Sequence, residues 1–345
     1  MVSRTEYGIR ERVRLFGPTG DRSLLGRQDA GIHFSPFVER SGAVSRREPK
    51  ESCDHRRDWR ALRKEAKSGT ASGPGSMMRE FLVRTSHKPR PLPAGRWAMT
   101  QRWNDLLYAH WPVPAKSIEA LLPEWLEADT FQGSAWLGAV PFWLDRIKIR
   151  GVPPIPGLRH FPDLNLRTYV RDRFTGTPGF HCFSVDSNNL IAVAAAHLVY
   201  HLPYCLAEMR LETRSEREFA FYSRRRFSRR QVIFKACYRG LGPSSKTAEV
   251  RAGTFERFIA ERNCVFSTNR SGEPIRANLH HVPWPLEEAE AEIERNDLAA
   301  AVGIELPNME PVLHYSRRLA LYIWPAELLR PALAARPVPA TATPT

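Results

Sequence analysis

Residues 164–171 read LNLRTYVR. Their strict alternation puts Asn165, Arg167 and Tyr169 on one side of an extended chain and Leu166, Thr168 and Val170 on the other. A face bearing an amide, a guanidinium and a phenol needs a partner, so this strand borders a polar cluster as well as a core. The neighbouring sequence is of the same kind. Residues 146–150 (RIKIR) alternate cations with Ile147 and Ile149, and residues 180–186 continue as another strand. Residues 134–144 (SAWLGAVPFWL) read as a strand pair interrupted near Gly138 and Pro141.

Further out, residues 208–212, 218–224, 231–239, 275–282 and 319–324 read as strands with turns between them. Three stretches have helical character: residues 115–122, stopped by Pro123; the Ala-rich run 190–200 (LIAVAAAHLVY); and residues 254–263, where Thr254 is the N-cap and Arg257 and Arg262 lie on the polar side. Many short strands with a few helices give an α+β class, mainly β, rather than an alternating βαβ chain.

The 345-residue chain carries a net charge of +14, and its first 98 residues hold 21 basic against 11 acidic side chains, most of that surplus. Those residues mix Arg, Gly, Ser and Pro without sustained hydrophobic periodicity, apart from a short helical pattern at residues 53–67. Such composition cannot bury enough apolar surface to offset its ordering entropy. We read residues 1–98 as a disordered basic segment, a start at Met78 or Met99 being an alternative that fits the composition break. Residues 99–336 form one domain, and residues 337–345 (PVPATATPT) a disordered tail.

Clustered cations attract phosphates, but this surplus is dilute and lacks a recognisable binding motif, so nucleic acid is not expected as the partner. Five widely spaced cysteines with no C-x-x-C pair suggest reduced thiols and a cytoplasmic protein. No membrane span or signal peptide is expected, because no run approaches about 18 apolar residues and the first residues lack an apolar core.

Five ordered blocks carry a family resemblance: residues 101–114 (QRWNDLLYAHWPVP), 129–142 (DTFQGSAWLGAVPF), 153–169 (PPIPGLRHFPDLNLRTY), 183–204 (FSVDSNNLIAVAAAHLVYHLPY) and 280–285 (HHVPWP). Together they resemble the YqjF-like family of uncharacterised bacterial proteins, grouped in the acetoacetate-decarboxylase-like superfamily. The resemblance implies a closed, cone-like β-barrel flanked by a few helices around a central pocket. The decarboxylases of that superfamily carry a G-[YF]-P-K-K segment in which one lysine forms a Schiff base. The similar segment here is His201-Leu202-Pro203-Tyr204-Cys205, where the proline aligns and both lysines are missing. After Met99 only Lys116, Lys148, Lys235 and Lys246 remain, and only Lys235 lies in an apolar strand. A Schiff-base mechanism is therefore not expected.

Within the blocks, Asn165, Arg167 and Tyr169 are the expected substrate-binding residues, and Asp186, His201 and Tyr204 the expected catalytic ones. Arg167 would pair with a carboxylate, supplied either by Asp186 in a structural ion pair or by a small acidic ligand. His201 or Asp186 would serve as general acid or base and Tyr204 as hydrogen-bond donor.

His197 and His201 stand four apart, the spacing of a metal pair on a helix, but no third ligand is demanded by the sequence. We read them as packing or pocket-lining residues and expect neither metal nor cofactor. Asp105 and His110, five apart, would diverge by about 140 degrees on a helix and could meet only in an extended or turned segment. The basic run 222–230 (YSRRRFSRR) reads as a strand end with a solvated face. The function expected is a small-molecule-binding barrel taking an acidic or carbonyl-containing compound, as an enzyme or, alternatively, as a non-catalytic ligand-binding or interaction domain. Homo-oligomerisation is left open.

Overall fold

A computed structural model describes residue 88, residues 90–242 and residues 253–330. The disordered segment expected over residues 1–98, its short helix, Lys246 and the tail thus lie wholly or largely outside the described residues. In chain order the elements are β1 (Met99–Val113), α1 (Ala115–Glu119), β2 (Leu126–Ala128), β3 (Ala135–Ile149), β4 (His160–Asp172) and β5 (Pro178–Ser187). Next come α2 (Leu190–Ala195), which runs on through a wider turn at Ala196–Tyr200, then β6 (Tyr204–Thr213), β7 (Glu218–Arg225) and β8 (Ile233–Gly240). The chain continues through α3 (Phe255–Ala260), β9 (Cys264–Thr268), β10 (Pro274–His280), β11 (Glu287–Asn296), α4 (Leu298–Ala301), β12 (Val312–Ile323) and β13 (Glu327–Leu328).

Five long strands, β12-β1-β3-β4-β5, form a shared wall, and the two outer ones each split their pairing between two partners. The first half of β5 pairs with β9 and its last residues with β6, both parallel. Likewise β12 pairs with β11 near its start and with β10 at its end. The wall is therefore closed twice: by β6-β7-β8-β11 into a nine-strand mixed barrel and, on its other face, by β9-β10 into a seven-strand ring. Full closure leaves few unpaired edges, which is how an all-strand architecture avoids edge association.

Period-two alternation assigns the wall's side chains to the two interiors. Leu107, Ala109, Leu137, Ala139, Leu164 and Leu166 pack with Phe219, Phe221, Phe234 and Tyr238 inside the nine-strand barrel. Leu106, Tyr108, Val140, Phe142, Tyr169 and Phe180 face the seven-strand side with Val265, Leu279 and Trp284. Expelling this apolar area from water, at about 25 cal/mol per Å², is the main drive for both closures.

The stretch expected to be a broken strand pair is one continuous strand, β3. Pro141 stands opposite the stretch where β1 and β3 lose register, between Asn104 and Ala109, and a bulge is a place where a strand tolerates proline. That bulge holds Asp105 at φ 48°. Its carboxylate accepts from Trp143 Nε1 at 2.8 Å and the Tyr315 hydroxyl at 2.6 Å, and its carbonyl accepts from the Tyr238 hydroxyl at 2.7 Å. Asp105 is thus a structural clasp, not an acid/base partner of His110. Gly138 has a different reason: a Cβ there would lie 2.7 Å from His110 Nε2.

Two further expectations are corrected. Thr254 does cap α3, accepting from Arg257 N at 3.3 Å, but Arg262 lies past the helix end and is buried against Asp129 rather than on a polar face. Within the basic run, Arg225 is not solvated: its side chain is only 10% exposed and is ion-paired to Asp186.

Candidate functional site

A cavity of about 250 Å³ occupies the seven-strand side, between the wall and α2. Its lining is mostly apolar, including Trp103, Phe142, Leu144, Phe161, Phe180 and Leu279. Polar groups enter it chiefly from Asp163 and Asn165 on β4, Tyr204 at the start of β6, and Gln101.

The tightest polar group is Asp163 with Tyr204. The Tyr204 hydroxyl donates to Asp163 Oδ2 at 3.0 Å, while Asp163 Oδ1 and the neighbouring Asn165 Oδ1 have no hydrogen-bond partner. Burial pushes the Asp163 carboxyl up to about 8, against the lowering effect of the nearby Ser187 and Tyr204 hydroxyls and with a further rise from Asp186. Burial, reinforced by Asp163, holds the Tyr204 phenol well above its ordinary value. At neutral pH the pair is a phenol donating to a protonated acid, so this corner of the cavity offers a hydrogen-bond donor in an apolar, poorly solvated setting.

The sequence-expected residues divide into three groups. Asn165 and Tyr204 line the cavity. Arg167 and Tyr169 lie deeper. Arg167 is absent from the cavity wall, and its guanidinium stands over the rings of Tyr108 at 4.9 Å, Phe180 at 5.0 Å and Tyr169 at 5.8 Å. The Tyr169 hydroxyl is 2.7 Å from His110 Nε2, and burial, helped by the charge on Arg167, keeps that imidazole well below its ordinary pKa.

Asp186 and His201 are not in this cluster. Asp186 faces the nine-strand side, where it accepts from Arg225 Nε at 2.6 Å and Ser223 Oγ at 3.0 Å. The cause is a bulge in β5: Leu166 pairs with Ser184 but Arg167 with Cys182, leaving Phe183 extra. Phe180 and Cys182 face the cavity, and without the bulge Asp186 would follow them. With it, Val185 takes the cavity side, and Ser184 and Asp186 turn towards Arg225.

His201 terminates α2 with φ 51°, a left-handed cap, and does not line the cavity. His197 bonds the Tyr204 carbonyl at 2.8 Å. Among the described residues no group of three or more His, Cys, Asp or Glu is placed to hold a metal ion.

Asp163 was not singled out by the sequence reading, which began its alternating strand at Leu164. Extending the same period by one step, to positions 163, 165, 167 and 169, would have found it. No described lysine lines the cavity. Lys235 is ion-paired to Glu294 at 2.6 Å. Lys88, outside the range in which lysines were counted, donates to the Leu279 carbonyl at 3.1 Å, and burial lowers its amine to about 8. Cys182 does line the cavity, but burial pushes its thiol up to about 12, leaving it protonated and weakly nucleophilic.

Residues 100–320 match the DUF2071 family, described as an uncharacterised conserved protein. The chain is 39% identical over 242 residues to uncharacterised protein YqjF of Bacillus subtilis (strain 168), an overlap covering 70% of this chain and 97% of that one. Among solved structures it is similar to an acetoacetate decarboxylase-like enzyme from Sphingomonas wittichii RW1, with 13% identity, a TM-score of 0.48 and coverage of 71% and 99% of the two chains. It is also similar to acetoacetate decarboxylase from Legionella pneumophila, with 15% identity, a TM-score of 0.46 and coverage of 77% and 99%. No helix among the described residues is long and apolar enough to cross a membrane.

Proposed function

This chain belongs to the YqjF-like DUF2071 family, and from the geometry of its cavity we propose that it binds a small, largely apolar carbonyl compound, with the Asp163 carboxyl, held by Tyr204, and the Asn165 amide N–H meeting the carbonyl oxygen. The observation that carries this reading is a hollow, apolar interior with the Asp163 carboxyl at one corner, its Oδ1 without a hydrogen-bond partner among the described residues, and the Asn165 amide beside it on the same strand face. Ligand sites are typically apolar hollows with a few convergent polar groups. The cavity is not filled by its own aromatics, as a barrel that had lost its ligand would be expected to be.

A neutral carbonyl fits better than a free carboxylate. None of the lining residues is cationic, so a carboxylate would enter an apolar space without a counter-charge, a costly transfer. A ketone, ester or amide oxygen can instead accept the Asp163 proton, while Tyr204 holds the other carboxyl oxygen. In that arrangement Asp163 is a general acid that polarises the carbonyl. Neither a lysine Schiff base nor a cysteine adduct is supported, for the reasons given above.

The test is a thermal-shift series on the full chain with aliphatic ketones, esters, 2-keto acids and simple carboxylic acids, followed by NMR of any stabilising compound to detect its conversion. A ligand that binds only the folded state raises the melting temperature by mass action. We expect neutral carbonyl compounds to stabilise the chain and Tyr204→Phe and Asn165→Leu each to weaken the effect about tenfold, the scale of one buried hydrogen bond. Stabilisation by carboxylates alone, or undiminished stabilisation in both variants, would overturn the reading. Binding without conversion would leave a ligand-binding domain; conversion slowed by Asp163→Asn would make it an enzyme.

A further inference from the structure

Behind the wall of Trp103, Phe180 and Leu279 lies a second, much smaller void of about 10 Å³. It is bordered by two guanidinium groups, Arg167 and Arg262, together with Tyr108, His281 and Trp284. Arg167 is 2% exposed and has no carboxylate partner among the described residues. Arg262, by contrast, is ion-paired to Asp129 and also donates to the Phe258 carbonyl.

Among the described residues, the buried polar atoms around this void that lack a well-aligned hydrogen-bond partner are Arg167 Nε, Trp284 Nε1 and the Tyr108 hydroxyl, the last lying against the Arg167 guanidinium. All three can donate, and two of them can only donate. Glu261, the nearest acid in sequence to Arg262, is buried with both carboxylate oxygens unpartnered, so it does not bond Arg167.

An uncompensated buried cation is strongly destabilising, and unpartnered donors add to the cost. A single water could accept from two donors but would leave the charge in place. A small anion in the void would neutralise Arg167 as well as accept from donors that border it. A void of this size admits roughly one water-sized particle, too little for a phosphate or an organic acid.

We propose that the inner void is a binding site for one small monovalent anion of halide size, held by Arg167, Tyr108 and Trp284. It is distinct from the carbonyl cavity, and its occupancy places a fixed, neutralised charge behind the cavity wall.

The experiment is a melting series of the full chain in sodium gluconate, with chloride or bromide substituted at constant ionic strength, and a bromide-containing crystal examined by anomalous scattering. The expected result is a saturable rise in melting temperature with chloride and bromide, and a bromide peak within hydrogen-bond distance of Trp284 Nε1. Tyr108→Phe, which keeps the ring, and Trp284→Phe, which keeps a smaller aromatic ring, each remove one donor and are expected to weaken halide affinity about tenfold. Arg167→Met is expected to abolish the halide effect, and the two aromatic variants carry the test if Arg167→Met does not fold. Equal melting temperatures in gluconate and halide, or a halide effect unchanged in both aromatic variants, would overturn the site. A failed carbonyl screen would leave it standing, because no cavity variant enters this test.

Discussion

The two faces of the shared wall are built from the same five strands and end in opposite states. On the nine-strand side, Phe219, Phe221, Phe234, Tyr238 and Tyr315 fill the interior, and its buried charge is paired, Asp186 with Arg225. On the seven-strand side there is a cavity of about 250 Å³, a protonated Asp163 and, among the described residues, a buried Arg167 without an acidic partner and several donors and acceptors left open. Close packing and satisfied polar groups are what stability alone would select. Hollow space bordered by unsatisfied groups is the signature of a binding surface. One barrel face is packed and the other hollow, and the proposed ligand role rests on that contrast.

The largest expected effect tests the filled side. Phe234→Ala should cost about 3–5 kcal/mol in urea unfolding, because the lost aromatic leaves a void in a closely packed core. Phe142→Ala, on the cavity wall, should cost roughly half as much, since its site already borders open space. Equal losses would break the contrast between the two sides.

Gly138→Ala should cost about 1–3 kcal/mol by overpacking against the fully buried His110 ring. Gly138→Ala combined with His110→Ala should recover part of that loss, which a simple strand-propensity effect would not allow.

The protonated acid predicts a pH dependence. Asp163 has a folded-state pKa of about 8, above its unfolded value near 4. Between those values the folded state binds more protons than the unfolded one, so stability is highest below about 4 and is lost as pH rises through about 8. Asp163→Asn, which keeps the shape but cannot ionise, should melt at a higher temperature than the parent at pH 8 and show a flatter melting profile between pH 5 and 8. A parallel profile would mean that Asp163 ionises normally.

The smallest effect is expected at Tyr204→Phe, about 1–2 kcal/mol for the lost hydrogen bond to Asp163. It should also shift the pH-dependent loss to higher pH, because the charged carboxylate loses a donor. A loss without that shift would place Tyr204 in packing alone.

Much of this architecture was legible. The alternation through Asn165, Arg167 and Tyr169 put those residues on one strand face, and the five sequence blocks implied a closed barrel, which the strand pairing has. What escaped the sequence was parity and depth. A run of ten residues gives no sign that Phe183 is a bulge, yet that one extra residue sends Asp186 to the opposite interior. Likewise the His197/His201 spacing assumed a regular helix, whereas the chain widens at Ala196–Tyr200 and turns left-handed at His201.

The sequence by itself determined that strands dominate, that a polar row runs along β4, and that the decarboxylase lysines are absent. Those are properties of periodicity and residue identity, which are local. The tertiary structure alone decided that the row is split between a large cavity and a small inner void, with Asp163 and Asn165 lining one and Arg167 the other. That division depends on where β9, β10 and Trp284 close over the wall. Closure of this kind is a long-range packing outcome that no local pattern encodes.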